Sequence, residues 1–225
     1  MNHFVIMMSF LRDRQRFLDE VYKGIHIETK VISLLICSSS FLALYGGIIG
    51  ASSSWPQILA SAIKLPALYL ITLLICLPTL YFFDVVAGSN RTFGQYLALL
   101  LASTSVISIM LFAFAPVTLF FHLSVNDYLF FKLVNVLIFT LTGMIGINFF
   151  YRGIMYVASQ DVGNPNRSKI VKAWLVLYGL VGSQLGWTLR PFFGAPGEPF
   201  ALFRNLESNF YLNVLKSIGE ALGLS

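Results

Sequence analysis

Residues 96–121 read YLALLLASTSVISIMLFAFAPVTLFF and contain no charged side chain. A helix needs about 20 mostly apolar residues to cross the hydrocarbon core of a bilayer, so this stretch is long enough to span one. Four other runs have the same character: residues 31–51, 65–87, 128–150 and 170–189. None of them alternates between apolar and polar residues, as the strands of a membrane β-barrel would. The sequence therefore predicts five transmembrane helices.

The composition of the whole chain agrees with this interpretation. Hydrophobic residues make up 57% of the 225 residues, and charged residues make up 11%. An average soluble domain carries about 25% charged residues, which keep its surface in water. A surface covered by lipid explains the deficit. The predicted fold class is all-α, as a polytopic membrane helix bundle.

The N-terminal segment, residues 1–29, predicts a surface helix. Phe10, Phe17, Val21 and Ile25 fall near one helical face, and charged residues occupy the other positions. This pattern is typical of an amphipathic helix that lies on a membrane surface.

A second interfacial helix is predicted near the C-terminus. In residues 206–222, apolar side chains recur at spacings of three and four, opposite a polar face. The predicted organisation has three parts: an amphipathic segment (1–29), a transmembrane bundle (30–190) and an aromatic and proline-rich interfacial segment (191–225).

The distribution of lysine and arginine predicts the orientation, because these residues are in excess in cytoplasmic loops. With the N-terminus inside, the cytoplasmic positions are Arg12, Arg14, Arg16, Lys23, Lys30, Arg91, Arg152, Arg167, Lys169 and Lys172. The outer positions are then Lys64, Lys132, Arg190, Arg204 and Lys216. The excess favours a cytoplasmic N-terminus, and five crossings place the C-terminus outside.

Motifs of catalysis and of cofactor binding are absent from the sequence. It contains no nucleophile elbow, P-loop or dinucleotide fingerprint. The three histidines are far apart, and no His, Cys, Asp and Glu cluster has metal-ligand spacing. The net charge of +5 comes from residues at span boundaries, which argues against nucleic-acid binding. We expect no enzyme activity, no cofactor and no metal.

Asp84 is an acidic residue inside a predicted span. It is within a turn or so of the inner end of the second span, where it can reach water. It can also pair with Arg91 or Arg152. We favour a structural ion pair over a functional site.

Neutral polar residues inside the spans allow two interpretations. They are Ser103, Thr104, Ser105, Ser108, Asn135 and Gln184. In lipid, such side chains hydrogen-bond to neighbouring helices, and each bond contributes about 0.6–2 kcal/mol. The alternative is the lining of a polar pore.

Small residues at spacings of three or four predict close helix packing. The candidates are Gly46, Gly50, Gly143, Gly146, Gly182 and Gly186. The same pattern serves either packing inside the bundle or the binding of a partner's helix.

The stretch before the C-terminus groups aromatic side chains with arginines, prolines and glycines. Its candidate residues for binding a lipid or a partner are Trp187, Arg190, Pro191, Phe192, Phe193, Arg204 and Glu207. An anchoring aromatic belt at the membrane interface is one interpretation. A rigid outer platform for a partner subunit or a lipid headgroup is the other.

Residues 187–196 read WTLRPFFGAP. With Leu11-Arg12-Asp13-Arg14 and residues 45–52, this segment resembles a group of polytopic bacterial inner-membrane proteins that share a WxLRPFxGxP-like segment. The resemblance implies a bacterial inner-membrane location but no established activity. Some such proteins carry an actin-binding label, although no actin-binding motif occurs here. The five-span layout is also similar to that of the Yip family of membrane proteins.

Packing motifs, few charges and an aromatic segment lead to a hypothesis for function. We expect a non-enzymatic membrane scaffold or an accessory subunit of a larger membrane assembly. The expected partners are membrane lipids and other membrane protein subunits or a second copy of the chain. The alternative is a small transporter or channel, with a water-accessible cavity lined by the serines and threonines of residues 96–121, Asn135 and Gln184.

Overall fold

A computed structural model describes residues 3–125, 128–160, 167–194 and 200–203. These residues contain seven α-helices and no strand. The helices are α1 (His3–Arg12), α2 (Arg14–Tyr22), α3 (Ile27–Gly50), α4 (Trp55–Val86), α5 (Phe93–Ser124), α6 (Tyr128–Ser159) and α7 (Arg167–Thr188). Helices α3 to α7 are long and apolar enough to cross a membrane. The predicted all-helical fold with five spanning helices is confirmed.

Two of the spanning helices are longer than the sequence predicts. α4 begins at Trp55, well before the predicted start at Leu65. Pro56 fits its first turn, where a missing N–H costs no hydrogen bond. Gln57, Ser61 and Lys64 interrupt the apolar residues of its first turns, so the predicted span starts after them. α6 likewise continues past Phe150 to Ser159, beyond Arg152, the charged residue that ends the uncharged run.

α5 lies at the centre of the bundle. α3 packs against both α4 and α5, α6 packs against α5, and α7 packs against α4. In the most apolar window of each span, 61% of the residues of α5 are buried but only 11% of those of α7. α7 is therefore a peripheral helix with few fully buried residues.

The N-terminal segment forms two helices that dock on the bundle. Asp13 separates them, and its side chain accepts a hydrogen bond from the Arg16 backbone N–H at 3.0 Å. Phe10, Phe17 and Val21 are buried against the transmembrane helices. Ile25, expected on the same face, lies beyond the end of α2 and is 41% exposed. We call the end of the bundle that carries α1 and α2 the N-terminal side.

A glutamine ties α2 to the start of α5. Gln95 donates from Nε2 to the carbonyls of Val21 and Tyr22, both at 2.8 Å. Its Oε1 accepts the backbone N–H of Thr92 at 2.7 Å. One side chain thereby closes the end of one helix and the beginning of another. The predicted helix of residues 206–222 lies outside the described residues.

Candidate functional site

A buried ionic cluster joins several helix ends on the N-terminal side. Asp84, near the end of α4, is fully buried. Its Oδ2 accepts close hydrogen bonds from Arg167 Nη2 and from the Tyr96 hydroxyl, and Arg91 Nη1 lies 3.6 Å away. Arg91 also donates from Nη2 to the carbonyl of Val157 at 2.7 Å. The cluster connects α4, α5, α6 and α7.

The predicted pair between Asp84 and Arg91 is therefore present, but the second partner is Arg167. Arg152, the alternative named from the sequence, is exposed. Arg167 opens α7 and is distant from Asp84 along the chain, so no local spacing links them. A buried carboxylate with two guanidinium groups is compensated, which fits a structural role.

On the opposite side, the segment after α7 folds back onto α4. Gln57 donates from Nε2 to the carbonyls of Pro191 at 3.0 Å and Phe192 at 3.3 Å. Ser61 also donates to the carbonyl of Phe192. Ser52 donates to the carbonyl of Phe193 at 3.0 Å.

Lys64 completes this set of donors. Its side chain is buried, and Nζ donates to the carbonyl of Pro191 at 3.2 Å and to that of Leu202. The ammonium also lies 4.9 Å from the centre of the Phe203 ring. Gln57, Ser61 and Lys64 follow one another at spacings of four and three, so they share one helical face. This spacing is visible in the sequence. It lies before Leu65, where the predicted span begins, so the sequence prediction does not include it.

The structure places the predicted aromatic platform partly inside the bundle. Phe192 and Phe193 pack against the apolar cluster around Tyr45, and the Phe193 ring lies 6.2 Å from that of Phe131. The Arg190 guanidinium stacks on the Trp187 ring at 3.4 Å. The five predicted residues that the structure describes are all half-buried: Trp187, Arg190, Pro191, Phe192 and Phe193. Arg204 and Glu207 lie outside the described residues.

A glycine allows the segment to approach the loop after α3. Gly194 has a φ of +65°, a conformation that side chains rarely adopt. A Cβ atom on Gly194 would lie 2.5 Å from the Cβ of Ser53. The segment after α7 is thus held through its backbone. Four side chains donate to its carbonyls, those of Ser52, Gln57, Ser61 and Lys64, and Gly194 lies close to Ser53.

Most of the predicted polar residues of the spans form hydrogen bonds within or between helices, whereas the buried Ser105 hydroxyl has no described partner. Ser103 donates to the carbonyl of Gly146 at 2.6 Å, and Thr104 donates to that of Leu100 at 3.0 Å. Ser108 donates to the carbonyl of Ser105 at 2.8 Å. A cavity beside Ser103 and Thr104 has a volume of about 30 Å³, which leaves room for about one or two waters.

Asn135 belongs to a buried network between three helices. Tyr45 of α3 donates to Asn135 Oδ1 of α6 at 2.8 Å, and the Tyr45 hydroxyl lies 3.1 Å from Thr118 Oγ1 of α5. Asn135 donates in turn to the carbonyl of Phe131 at 2.9 Å. Gln184, the other predicted pore residue, is half-buried on α7.

Four of the predicted packing glycines lie at tight or ordinary contacts inside the bundle. A Cβ on Gly46 would lie 2.4 Å from the backbone oxygen of Ser61, and one on Gly50 would lie 2.5 Å from that of Gln57. These two glycines bring α3 and α4 into backbone contact. A Cβ on Gly146 would lie 2.3 Å from the Ile107 side chain. Gly182 is in ordinary contact with Thr72, at 3.5 Å from its Cγ2.

The other two predicted glycines contact nothing inside the bundle. A Cβ on Gly143 of α6, or on Gly186 of α7, would meet no described atom within 4 Å. Gly179 of α7 is open in the same way. α6 and α7 touch nearer the N-terminal side, where the Phe150 and Trp174 rings are 5.2 Å apart. We call these open positions of α6 and α7, Gly143, Gly179 and Gly186, together the α6–α7 flank.

Within the described ranges, no group of three or more His, Cys, Asp or Glu side chains is arranged to hold a metal ion. Cys37 and Cys76 are buried as free thiols. Comparisons with protein-family models, with curated proteins and with solved structures found no match to this chain. The resemblance of the WTLRPFFGAP segment to bacterial inner-membrane proteins stays a prediction.

Proposed function

We propose that this multi-pass membrane protein is a non-enzymatic scaffold or accessory subunit that binds another transmembrane helix at its α6–α7 flank. The observation that carries the proposal is the open space at Gly143, Gly179 and Gly186. Glycines in transmembrane helices let a neighbouring backbone approach closely. These three serve no such contact inside the described bundle, unlike Gly46 and Gly50.

The exposure of α7 supports the same proposal. Val176 and Leu180 are 64% and 46% exposed, on a helix whose apolar window is only 11% buried. In lipid, helices associate through van der Waals packing of small residues and not through hydrophobic burial. A helix that packs against few others, with small residues in its outer turns, is suited to a partner.

Transport is less well supported by the described geometry. The transporter hypothesis requires water to reach the polar side chains of α5 and Asn135. Ser103, Thr104, Ser108 and Asn135 instead form hydrogen bonds to protein groups. A pore lining would leave such groups facing water.

The proposal includes a bacterial inner-membrane location with a cytoplasmic N-terminus. The location rests on the sequence resemblance, and the orientation rests on the excess of lysine and arginine. Arg12, Arg14 and Arg16 lie on the same side of the bundle as Arg91 and Arg152, as the rule for cytoplasmic loops expects. Five crossings then place the C-terminus outside.

Co-purification in mild detergent tests the partner proposal. The full chain is isolated from its native membrane, and the proteins bound to it are compared with those bound to Gly179→Leu and Gly186→Leu variants. Leucine fills the space that a partner backbone would occupy, so a specific partner is expected to bind the wild type and to be lost from both variants. Ala173→Leu, on an exposed position of the same helix, is the matched control and is expected to keep the partner.

Two results would count against the proposal. One is a wild-type protein that is monomeric with no bound partner in every mild detergent tried. The other is a partner that both glycine variants retain at the wild-type ratio, which would move the binding surface away from the α6–α7 flank.

A further inference from the structure

A groove on the N-terminal side lies between α1, α2, α5 and α6. Its cavity volume is about 280 Å³. Two arginines, Arg14 of α2 and Arg152 of α6, stand on its walls, and Leu11, Phe149 and Ile145 supply apolar surface. The volume suits a headgroup and the carbon atoms next to it better than a whole drug-sized molecule.

The charge of this groove is unbalanced. No acidic residue lines it, and neither Arg14 nor Arg152 forms an ion pair with any described residue. The Arg14 guanidinium lies 5.1 Å from the centre of the Phe149 ring, which holds it at the wall. Two guanidinium groups without a carboxylate favour an anion, and a phosphate suits their planar donors.

A second groove nearby shows the contrast. Arg16, two residues beyond Arg14, donates to Glu20 at 3.0 Å, and Lys30 lies 3.0 Å from the same carboxylate. Both basic residues line a cavity of about 680 Å³ that also contains Asp13. Its charges are balanced, so it does not select an anion.

The lining of the unbalanced groove also changes along the axis of α6. Arg152 and Ile145 are seven residues apart on α6, which corresponds to about 10 Å along the helix axis. Asn148 and Phe149 lie between them. Val106 of the central helix α5 lines the same groove as Ile145. The groove is therefore charged at one end and apolar at the other, as a phospholipid is from its phosphate to its acyl chains.

We propose that this groove binds the phosphate of an anionic phospholipid, with Arg14 and Arg152 on the phosphate and Val106 and Ile145 against the upper part of an acyl chain. The site is distinct from the α6–α7 flank and does not depend on a partner helix there. A lipid held in it would also contact the docked helix α1 through Leu11. The ligand would thereby join the N-terminal helices to α6.

Native mass spectrometry of the full chain in a non-ionic detergent tests the site. The protein is titrated with dioctanoyl phosphatidylglycerol and, separately, with dioctanoyl phosphatidylcholine, and inorganic phosphate is added as a competitor. We expect tighter binding of phosphatidylglycerol. Because each basic residue near an anionic lipid contributes about 1 kcal/mol, Arg14→Gln and Arg152→Gln should each weaken its binding about fivefold.

Arg16→Gln is the matched control, since it makes the same change on α2 at an arginine that Glu20 already neutralises. It is expected to leave lipid binding unchanged. Arg14 and Arg152 are both exposed, and circular dichroism verifies that their variants remain folded. Equal binding of the two lipids, an equal loss in Arg16→Gln, or wild-type affinity in both groove variants would overturn the proposal. Displacement of the lipid by an equal concentration of inorganic phosphate would assign the groove to a free anion and would also overturn it.

Discussion

Asp84 is fully buried near one end of α4, and its two arginine partners come from the next loop and from the start of the last described helix. An unpaired charge in such surroundings would be costly, whereas a paired and hydrogen-bonded one is tolerated. Tyr96 adds a hydrogen bond to the same carboxylate and lies 2.7 Å from Ser89 Oγ. The cluster therefore holds four helices in place through one carboxylate.

Asp84→Asn is expected to be strongly destabilising. The substitution leaves the guanidinium groups of Arg91 and Arg167 buried beside a neutral amide, so the free energy of unfolding should fall by about 3–5 kcal/mol. Chemical unfolding in detergent micelles measures the change. Arg152→Gln is the control, because Arg152 is exposed and its replacement should leave the free energy of unfolding nearly unchanged. Equal stability of Asp84→Asn and the wild type would contradict the structural role.

Glu20 makes the stability of the N-terminal helices depend on pH. Hydrogen bonds from Lys30 and then from Arg16 hold the pKa of Glu20 below its usual value of 4.5, against the opposing effect of burial. A lowered pKa in the folded state means that the interaction stabilises the fold above 4.5 and is lost as the pH falls through the folded-state pKa.

The thermal unfolding midpoint, followed from neutral pH downward, is expected to fall less steeply below 4.5 in Glu20→Gln than in the wild type. The difference should be small, because the Glu20 side chain is 30% exposed. Identical pH profiles for the two proteins would show that Glu20 does not contribute.

For individual residues, the sequence predicts which side chains are unusual but not all of the partners that they contact. Asp84 stood out because a charge in an apolar run is rare, and Arg91 was close enough in sequence to be named. For Arg167 the sequence predicts only a cytoplasmic position, because only the fold brings it close to Asp84 of α4. Arg14 was likewise assigned to orientation, because nothing in the sequence shows that it shares a groove with Arg152.

Among the helices, α3 and α4 meet backbone to backbone at two glycines. The backbones meet at Gly46 and Gly50 because side chains there would overlap the carbonyls of Ser61 and Gln57. The same turns of α4 carry the donors that hold the segment after α7. One end of α4 thus binds α3 on one face and the returning chain on another.

Gly46→Ala and Gly143→Ala form a matched pair of variants. The added methyl group at Gly46 would lie 2.4 Å from a backbone oxygen, so α3 and α4 must separate, and overpacking of this kind costs about 1–3 kcal/mol. At Gly143 the methyl group enters open space and should be neutral or slightly stabilising in the isolated protein. Unfolding in detergent measures both. Equal losses in the two variants would contradict the packing described here.

The existence of the five spans was predictable, but their ends were not. Long uncharged runs define a span because lipid requires every backbone group to be bonded within the helix. The ends depend on turns that include polar residues, such as Gln57, Ser61 and Lys64 of α4, whose side chains are satisfied by contacts that hydropathy does not reveal. The glycine pattern was predictable as well, whereas the division between internal and open glycines required the packed bundle.

For the whole molecule, the arrangement of helices is asymmetric. α5 is the most buried of the five spans, and polar side chains such as Ser103, Thr104 and Ser108 form internal hydrogen bonds. α7 packs mainly against α4 and leaves the α6–α7 flank open. Which helices would be neighbours could not be predicted, because helices apolar on all sides carry no amphipathic face to orient them. The open flank is the structural basis for the proposed role as an accessory subunit.

Photo-crosslinking in the native membrane tests that role most directly. A photoreactive amino acid is placed at Val176, beside the α6–α7 flank, and in a second protein at Leu74 of α4; these positions are 64% and 68% exposed. If the flank binds a partner helix, crosslinking from Val176 gives one discrete protein adduct, whereas Leu74 reacts with lipid alone. The Val176 adduct should disappear when Gly179 is also replaced by leucine. Lipid adducts alone from both positions would contradict the account.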